Sequence, residues 1–312
     1  MGNPGSPPNS STDSVAAVIV SYNRRRVLRD VLENALNQTR PVNEVIVVDN
    51  NSGDGTGDMV RQSFPQVTYL AMKENLGSAG GMAAGIKAAY DRGHAWVWML
   101  EDDTIPRPEA LETCLHVFHC LNDAKVGMVH PWHASRGEIR LAHGLWRGRL
   151  RPATPGQVGE VYDVDVTNWT GNLLRRRVID LVGFPRSEYF MMWEEFEYCL
   201  RIRGAGFRIV VVPEPVIEHL KPKTGHVEPP WRGYYQTRNQ LAHALERRSP
   251  KELYWWTHRQ MHYLIGTLTY KDAKIQRLRF RALGVWDGLR GRTGRTLDPP
   301  PPIFQGDVVP ED

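Results

Sequence analysis

Cysteine is scarce in this sequence, and long apolar runs are missing. Only three cysteines occur, Cys114, Cys120 and Cys199, and no two of them have the CxxC spacing. A disulfide scaffold and a zinc ribbon are therefore both poor interpretations. The longest apolar runs, Val15–Val20 and Ala95–Leu100, fall well short of the roughly 18 residues that a membrane-spanning helix needs. We expect a protein of a reducing, intracellular compartment without a spanning segment.

The composition is otherwise that of an ordinary globular protein. Hydrophobic residues make up 41% of the 312 residues and charged residues 24%, so a sizeable core can form. The first 14 residues are rich in Gly, Pro and Ser and have no apolar stretch, which predicts a disordered leader, 1–14, rather than a signal peptide. The proline run Pro299–Pro302 and the acidic end predict a disordered tail, 296–312.

Short apolar runs alternate with helical patterns along the first two thirds of the chain. The predicted strands are Val15–Val20, Glu44–Val48, Val67–Met72 and Ala95–Leu100, with a later strand at Phe207–Val212. Ser78 is in position to cap the helix that carries Met82, Ile86 and Ala89. This alternation predicts an α/β fold, with a mainly parallel sheet and helices on both of its faces.

Polar residues follow each of the first four predicted strands. The segments are Ser21–Asn23, Asp49–Thr56, Glu74–Gly77 and Glu101–Asp103. Because ligands bind beyond the carboxyl ends of parallel strands, these segments predict a binding site at one edge of the sheet. Asn75 and Gly77 stand before a predicted helix, whose first backbone amides favour an anion such as a phosphate. The glycines there do not have the GxGxxG spacing, so a dinucleotide site is not expected.

The acidic triplet Glu101–Asp103 predicts a metal site. Adjacent carboxylates repel one another, and a divalent cation removes that cost. Hard oxygen ligands suit Mg²⁺ or Mn²⁺. Glu101 and Asp103 would point the same way if the extended backbone continues beyond the strand. An acidic turn before Pro106 is the alternative interpretation.

Basic charge is concentrated near the C-terminus. The net charge is +4, but ten basic and three acidic residues between Lys251 and Arg295 give that segment a local charge of +7. Aromatic residues are interleaved with it: Tyr254, Trp255, Trp256, Tyr263, Tyr270, Phe280 and Trp286. The pattern suits a helical extension, 221–295, that contacts an anionic membrane surface or an anionic substrate. The alternative is a solvated helical face whose aromatics pack on the main domain. Nucleic acid is not an expected partner, because this charge lies away from the predicted strand ends.

Taken together, the motifs resemble one enzyme family. The segments Asp49–Thr56, Glu74–Gly81, Glu101–Asp103, Thr170–Arg175 and Trp193–Tyr198 are similar to those of family 2 glycosyltransferases of GT-A fold. The resemblance covers Val15 to Leu220 and implies a GT-A domain over 15–220. It also implies an inverting transfer from a nucleotide-sugar donor with a divalent metal. Within the family, the pattern is most similar to bacterial galactofuranosyltransferases and rhamnosyltransferases of cell-wall and surface-polysaccharide assembly, which also share Tyr234–Asn239.

The resemblance implies roles for residues on the donor side. Asp103 is the expected principal metal ligand, His219 completes the site, and His226 is the alternative histidine. Glu101 stands where the family more often has Asp, so its direct ligation of Mn²⁺ or Mg²⁺ is left open. The donor-binding residues are then Asp49 for the nucleotide base, Asp102 for ribose or sugar, and Ser21, Asn23, Asn75 and Gly77.

The resemblance also implies the residues on the acceptor side. An inverting transfer needs one carboxylate to take the proton of the acceptor hydroxyl, and Glu195 aligns with that base. Glu197 is expected to hold local structure or acceptor hydroxyls. The acceptor side is assigned to Trp169, Gly171, Asn172, Trp193 and Glu194.

The expected function is therefore metal-dependent glycosyl transfer to a hydroxyl of a lipid-linked or cell-surface glycan, by an enzyme peripheral on the inner face of the cell membrane. The donor would be of the UDP-galactofuranose or dTDP-rhamnose type. Nucleotidyl transfer is an alternative, but Ser21–Arg24 has no phosphate-binding glycine. A second alternative is a nucleotide-sugar or polysaccharide-binding pseudoenzyme. Such a protein would be expected to lack the catalytic acids, whereas Asp102, Asp103 and Glu195 are present.

Overall fold

The structure is a computed structural model that describes residues 13–135, 138–140, 143–146, 149–152, 161–220, 229–270 and 273–297. Most of the predicted leader, most of the predicted tail and His226 lie outside these residues. The strands are β1 (Val15–Ser21), β2 (Glu44–Asp49), β3 (Thr68–Ala71), β4 (Trp96–Glu101), β5 (Thr104–Pro106), β6 (Val126–Ser135), β7 (Glu138–Arg140), β8 (His143–Trp146), β9 (Arg149–Pro152), β10 (Tyr162–Val164), β11 (Asn172–Arg175) and β12 (Arg208–His219). The helices are α1 (Arg25–Leu36), α2 (Thr56–Ser63), α3 (Gly77–Asp91), α4 (Ala110–Leu121), α5 (Arg176–Val182), α6 (Glu194–Gly204), α7 (Arg232–Glu246), α8 (Pro250–Thr269) and α9 (Lys274–Leu289).

A mixed, mainly parallel sheet forms the centre of the molecule, as the sequence predicts. Its order is β10-β12-β6-β11-β4-β1-β2-β3, with β5 paired to β12 and β7 to β6. Strands β1, β2, β3 and β4 are parallel, and β12 is parallel to β6. Strand β11 runs antiparallel between β4 and β6. The carboxyl ends of β1, β2, β4 and β12 and the start of β11 therefore meet at one edge.

Helices cover both faces of this sheet, because its central strands are apolar on both sides. On one face, α1 and α4 bury Leu28, Leu32 and Leu111 against the strands. On the other face, α3 and α6 bury Ile86 and Ile202. Helix α3 lies so close to the sheet that a Cβ on Gly85 would come within 2.2 Å of Val18.

Two local predictions are wrong. Ser78 does not cap α3: the helix begins at Gly77, and the Ser78 hydroxyl donates instead to Glu194. The last strand does not stop at Val212 but continues through Pro213–Pro215 to His219, with register shifts around Pro215. Proline has no N–H for the ladder, so it is accommodated at these irregularities. The extension pairs His219 with Thr104, next to the acidic triplet.

Helices α7, α8 and α9 form the predicted helical extension. Helix α9 packs closely on α7, and a Cβ on Gly284 would lie 2.6 Å from the Tyr234 carbonyl oxygen. The Tyr234 hydroxyl donates to Asp287 at 2.6 Å, and the Tyr235 hydroxyl donates to the Leu297 carbonyl at 2.9 Å. No helix in the described ranges combines the length and apolarity that crossing a membrane requires.

Candidate active site

The edge where the strands end brings the predicted site residues together. Ser21 and Asp49 end β1 and β2, Glu101 ends β4, and His219 ends β12. The first residues of α3 and α6 reach the same edge and bring Gly77 and the acidic pair Glu194–Glu195. One edge of the sheet thus carries both the predicted donor side and the predicted base.

Asp49 lies buried at the end of β2 and accepts two hydrogen bonds. The Ser52 amide donates to its Oδ1 at 2.9 Å, and the Tyr69 hydroxyl donates to its Oδ2. Burial and then the Asp49 carboxylate raise the pKa of Tyr69, so its hydroxyl stays protonated. The sequence analysis missed Tyr69, since only strand pairing places β3 beside β2. On the neighbouring loop, Asn23 accepts from the Gly53 amide at 2.8 Å.

The start of α3 is tied to the end of β2. The Asn75 side chain accepts from the Gly77 amide at 2.8 Å, and the Asn50 side chain donates to the Gly77 carbonyl at 3.0 Å. Gly77 has a positive φ of 71°, and a Cβ there would lie 2.0 Å from the Phe190 carbonyl oxygen. Only glycine fits at this position, and the helix start is therefore pressed against the segment that precedes α6.

Arg24 pairs with two acids of the triplet, and the sequence analysis missed it. Its Nη1 donates to Asp102 at 2.8 Å and to Asp103 at 2.6 Å. Burial alone would lower the pKa of Arg24, but Asp102 and Asp103 outweigh it and raise that pKa. The Tyr22 amide also donates to Asp102, at 3.3 Å. The sequence signal for Arg24 was a basic residue three positions after the end of the first strand, in a chain whose fourth strand is followed by an acidic triplet.

Glu101, Asp103 and His219 form a group that fits a divalent cation. One carboxylate oxygen from each acid and one ring nitrogen of His219 lie within 4.8 Å of one another. Although burial raises the pKa of Asp103, the His219 hydrogen bond and the Arg24 charge lower it to about 2, so this carboxylate is ionised. Burial and Asp103 raise the pKa of Glu101, which also accepts from Thr170 at 3.0 Å. Two oxygens and an imidazole are a suitable set for Mn²⁺ or Mg²⁺.

Glu194 and Glu195 begin α6 and have different surroundings. Glu194 is buried and accepts from the Ser78 hydroxyl. Glu195 accepts from the Trp169 amide through Oε1 at 3.2 Å, which leaves Oε2 for another partner. Burial, followed by the charges of Glu194 and Glu101, raises the pKa of Glu195 well above the usual range. A carboxylate of raised basicity is suited to accept a proton.

The other residues assigned to the acceptor side are more enclosed. Trp169 and Asn172 are buried, and the Gly171 carbonyl accepts from the Trp98 indole at 3.1 Å. Trp193 is half-buried, with the Arg259 guanidinium 5.2 Å from its ring centroid. Glu197 pairs with Arg201 at 2.7 Å and with Arg186 at 3.3 Å, which fits the expected structural role.

Comparison with known proteins agrees with this arrangement. The sequence profile of the family described as "Glycosyltransferase like family 2" matches residues 12–239. The chain belongs to this family. It is a glycosyltransferase, and its fold is of the GT-A type.

Individual relatives match different shares of the chain. Galactofuranosyltransferase GlfT1 of Mycolicibacterium smegmatis is 30% identical over 203 residues, which are 62% of this chain and 67% of the relative. The dTDP-rhamnosyl transferase RfbF of Shigella flexneri is 24% identical over 90% of this chain and 97% of its own. Among solved structures, the mannosyltransferase PcManGT of Pyrobaculum calidifontis, in complex with GDP-Man and Mn²⁺, is similar with a TM-score of 0.52 and 16% identity. That match covers 88% of this chain and 75% of the other.

The first prediction concerns the metal group. We expect Asp103→Asn to abolish stabilisation by Mn²⁺ in the presence of UDP, because the amide has no charge to offer the cation. A ligand at about 100 times its Kd adds about 2.7 kcal/mol to stability, so the parent should show a clear rise in Tm. The exposed neighbour Glu218→Gln is the matched control and should respond to Mn²⁺ like the parent. An unchanged response of Asp103→Asn to Mn²⁺ would contradict the assignment.

The second prediction concerns the base. Glu195→Gln keeps the shape of the side chain but cannot accept a proton, so we expect kcat to fall by about 10²–10⁴-fold with donor binding retained. In the parent, kcat should fall as the pH drops through the raised pKa of Glu195, because the protonated acid is no longer a base. Glu194→Gln is the comparison. If that variant is inactive and Glu195→Gln has near-normal kcat, the base is Glu194.

Proposed function

We propose that this enzyme transfers a sugar from a pyrimidine nucleotide-sugar donor to a hydroxyl group of a glycan acceptor, with inversion at the anomeric carbon. The observation that carries the proposal is the pairing of two groups at one edge of the sheet. The Trp169 amide donates to Glu195 at 3.2 Å, and the hydroxyl of the adjacent Thr170 donates at 3.0 Å to Glu101, a member of the candidate metal group. A base and a cation site this close suit proton removal from an acceptor next to a departing diphosphate.

On the donor side, the carboxylate of Asp49 can accept the N3–H of uracil or thymine. The positive end of the α3 dipole favours the charge of the diphosphate, while the Gly77 and Ala79 amides themselves donate to Asn75 and to the Phe190 carbonyl. We assign Asp102 to the ribose or the sugar. Arg24 donates to Asp102 at 2.8 Å and fixes its orientation. Glu101, Asp103 and His219 would hold the cation, which when bound offsets the charge that develops on the leaving diphosphate.

On the acceptor side, Glu195 takes the proton of the attacking hydroxyl. The Trp169 amide holds Oε1, so Oε2 is the oxygen that we assign to the proton. The acceptor oxygen then bonds to the anomeric carbon as the bond to the diphosphate breaks on the opposite face. Together with burial, the negative charge of Glu194, which accepts from Ser78, raises the pKa of Glu195 and makes it a stronger base.

UDP-galactofuranose is the donor that the 30% identity to galactofuranosyltransferase GlfT1 supports. A dTDP-rhamnose donor is the second candidate, because the match to dTDP-rhamnosyl transferase RfbF extends over 90% of the chain, including the C-terminal helices. Both donors carry a pyrimidine base, whose N3–H can donate to the Asp49 carboxylate. The proposed acceptor is a lipid-linked or cell-surface glycan.

The third prediction tests the donor. With Mn²⁺ present, we expect UDP-galactofuranose to raise the Tm and to be slowly hydrolysed, because water can replace the acceptor. dTDP-rhamnose tests the second candidate, and GDP-mannose is the purine control. Binding of GDP-mannose alone would contradict the role of Asp49. Tight binding of a pyrimidine donor, without hydrolysis or transfer to any glycan, would contradict enzymatic transfer.

We also propose that the helical extension holds the enzyme at an anionic membrane surface. Several of its aromatics are not free for this purpose: Trp256 donates to the Thr237 carbonyl at 3.2 Å, and the Tyr263 and Tyr270 rings pack under Arg281 and Arg277. The surface of α8 instead exposes aliphatic residues at helical spacing, Met261, Leu264, Ile265 and Leu268. An aliphatic stripe beside the local charge of +7 suits shallow insertion among anionic lipids, where each basic residue adds about 1 kcal/mol.

The fourth prediction tests this surface by co-sedimentation with vesicles. Binding should rise with the anionic lipid content and weaken as salt rises, since the attraction is screened. The variant with Met261→Glu, Ile265→Glu and Leu268→Glu should lose binding, because charges replace the inserted apolar groups. Leu181→Glu, at an equally exposed leucine on α5, is the matched control and should bind like the parent. Equal binding by the triple variant, or no binding to anionic vesicles at low salt, would contradict the proposal.

A further inference from the structure

The segment that leads into the acidic pair has an unusual backbone. Phe190, Met192 and Trp193 have φ values of 63°, 67° and 78°, in the left-handed region that bulky side chains rarely adopt. Glu194 and Glu195 follow directly, so the direction in which they leave the segment depends on this conformation. Such a backbone persists only where the surrounding structure holds it.

Asn239, on α7, contacts the carbonyl groups of this segment. Its side chain is completely buried, and its Nδ2 lies 3.0 Å from the Tyr189 oxygen and 2.8 Å from the oxygens of Met191 and Met192. Three carbonyl groups of one short, irregular segment therefore lie around one amide group.

Arg238 fixes which way the Asn239 amide faces. Its Nε donates to the Asn239 Oδ1 at 2.9 Å, and because Nε is only a donor, the nitrogen of the amide must face the carbonyls. Arg238 also donates to the Tyr189 carbonyl at 3.1 Å. It is itself held by the Gly294 carbonyl and the Thr296 hydroxyl, each at 2.8 Å. The residues after α9 therefore hold Arg238, Arg238 orients Asn239, and Asn239 contacts the segment before α6.

The opposite side of the segment contacts the donor side of the site. The Phe190 carbonyl accepts from the Ala79 amide at 3.0 Å. Its oxygen occupies the space that a side chain at Gly77 would need. The segment is thus held between the start of α3 and α7. Loss of the contacts on the α7 side would leave it anchored at one side only.

We propose that Asn239 is a positioning residue for Glu195: it acts through the carbonyls of Tyr189, Met191 and Met192 and sets the direction in which the base faces the acceptor. The proposal rests on the proposed function of Glu195 as the base. It also makes the helical extension a part of the active site, in addition to any contact with a membrane. Asn239 ends the sequence segment that begins at Tyr234, but only the folded chain shows which carbonyl groups it contacts.

The fifth prediction compares Asn239→Asp with Thr237→Val. The aspartate has the same shape, but its carboxylate repels the three carbonyl oxygens. We expect kcat with UDP-galactofuranose to fall by about 10²-fold, since a displacement of about 1 Å at a reacting group has that effect, whereas KM for the donor stays within about twofold. Thr237 is equally buried on α7 but bonds to Gln260 and Arg281, away from the segment, so Thr237→Val should keep kcat.

Hydrogen exchange of residues 188–198 gives a readout that does not need turnover. It should be faster in Asn239→Asp than in the parent or in Thr237→Val, while the rise in Tm with UDP and Mn²⁺ is retained. Normal kcat in Asn239→Asp, or losses of kcat that follow the losses of Tm equally in both variants, would overturn the inference. If the parent transfers no sugar, the proposed function fails. Hydrogen exchange then tests the inference by itself, and unchanged exchange of this segment in Asn239→Asp would overturn it.

Discussion

Repulsion among carboxylates at one sheet edge is the constraint on which the rest of the site depends. Glu101, Asp102 and Asp103 follow β4, and Glu194 and Glu195 begin α6. Burial raises the pKa values of Glu101, Glu194 and Glu195, and neighbouring carboxylates raise them further: Asp103 acts on Glu101, Glu101 on Glu194, and Glu194 with Glu101 on Glu195. Arg24 and His219 offset part of this charge around Asp103, and Ser78 does so for Glu194. The negative charge that these groups leave uncompensated makes the edge suited to bind a cation and to hold a base.

Much of the sheet and of this edge could be predicted from the sequence. The strands are continuous apolar runs with short connections, and parallel strands place their carboxyl ends together, so Asp49 and Glu101–Asp103 were identified from position alone. The course of β12 could not be predicted, because its two prolines resemble the end of a strand. Pairing with β6 as far as Glu218, and with β5 as far as His219, keeps the chain extended beyond the prolines.

Residues that act through tertiary contacts were the ones that pattern reasoning missed. Tyr69 reaches Asp49 across two paired strands, and Arg24 reaches the acidic triplet across the sheet edge. Ser78 has the sequence position of a helix cap, but a buried carboxylate competes for its hydroxyl. In the helical extension, the sequence shows which residues are apolar but not which side of α8 faces away from α7 and α9. The aliphatic stripe became apparent only from the burial of its neighbours.

The central claim is that one carboxylate, Glu195, acts as a base while the diphosphate leaves from the opposite face of the sugar. The most direct test is the anomeric configuration of the product, followed by NMR during transfer from UDP-galactofuranose to a glycan acceptor. A single displacement assisted by a base predicts the configuration opposite to that of the donor in the first product formed. Retention of the donor's configuration would contradict the account, because it requires a route other than a single displacement.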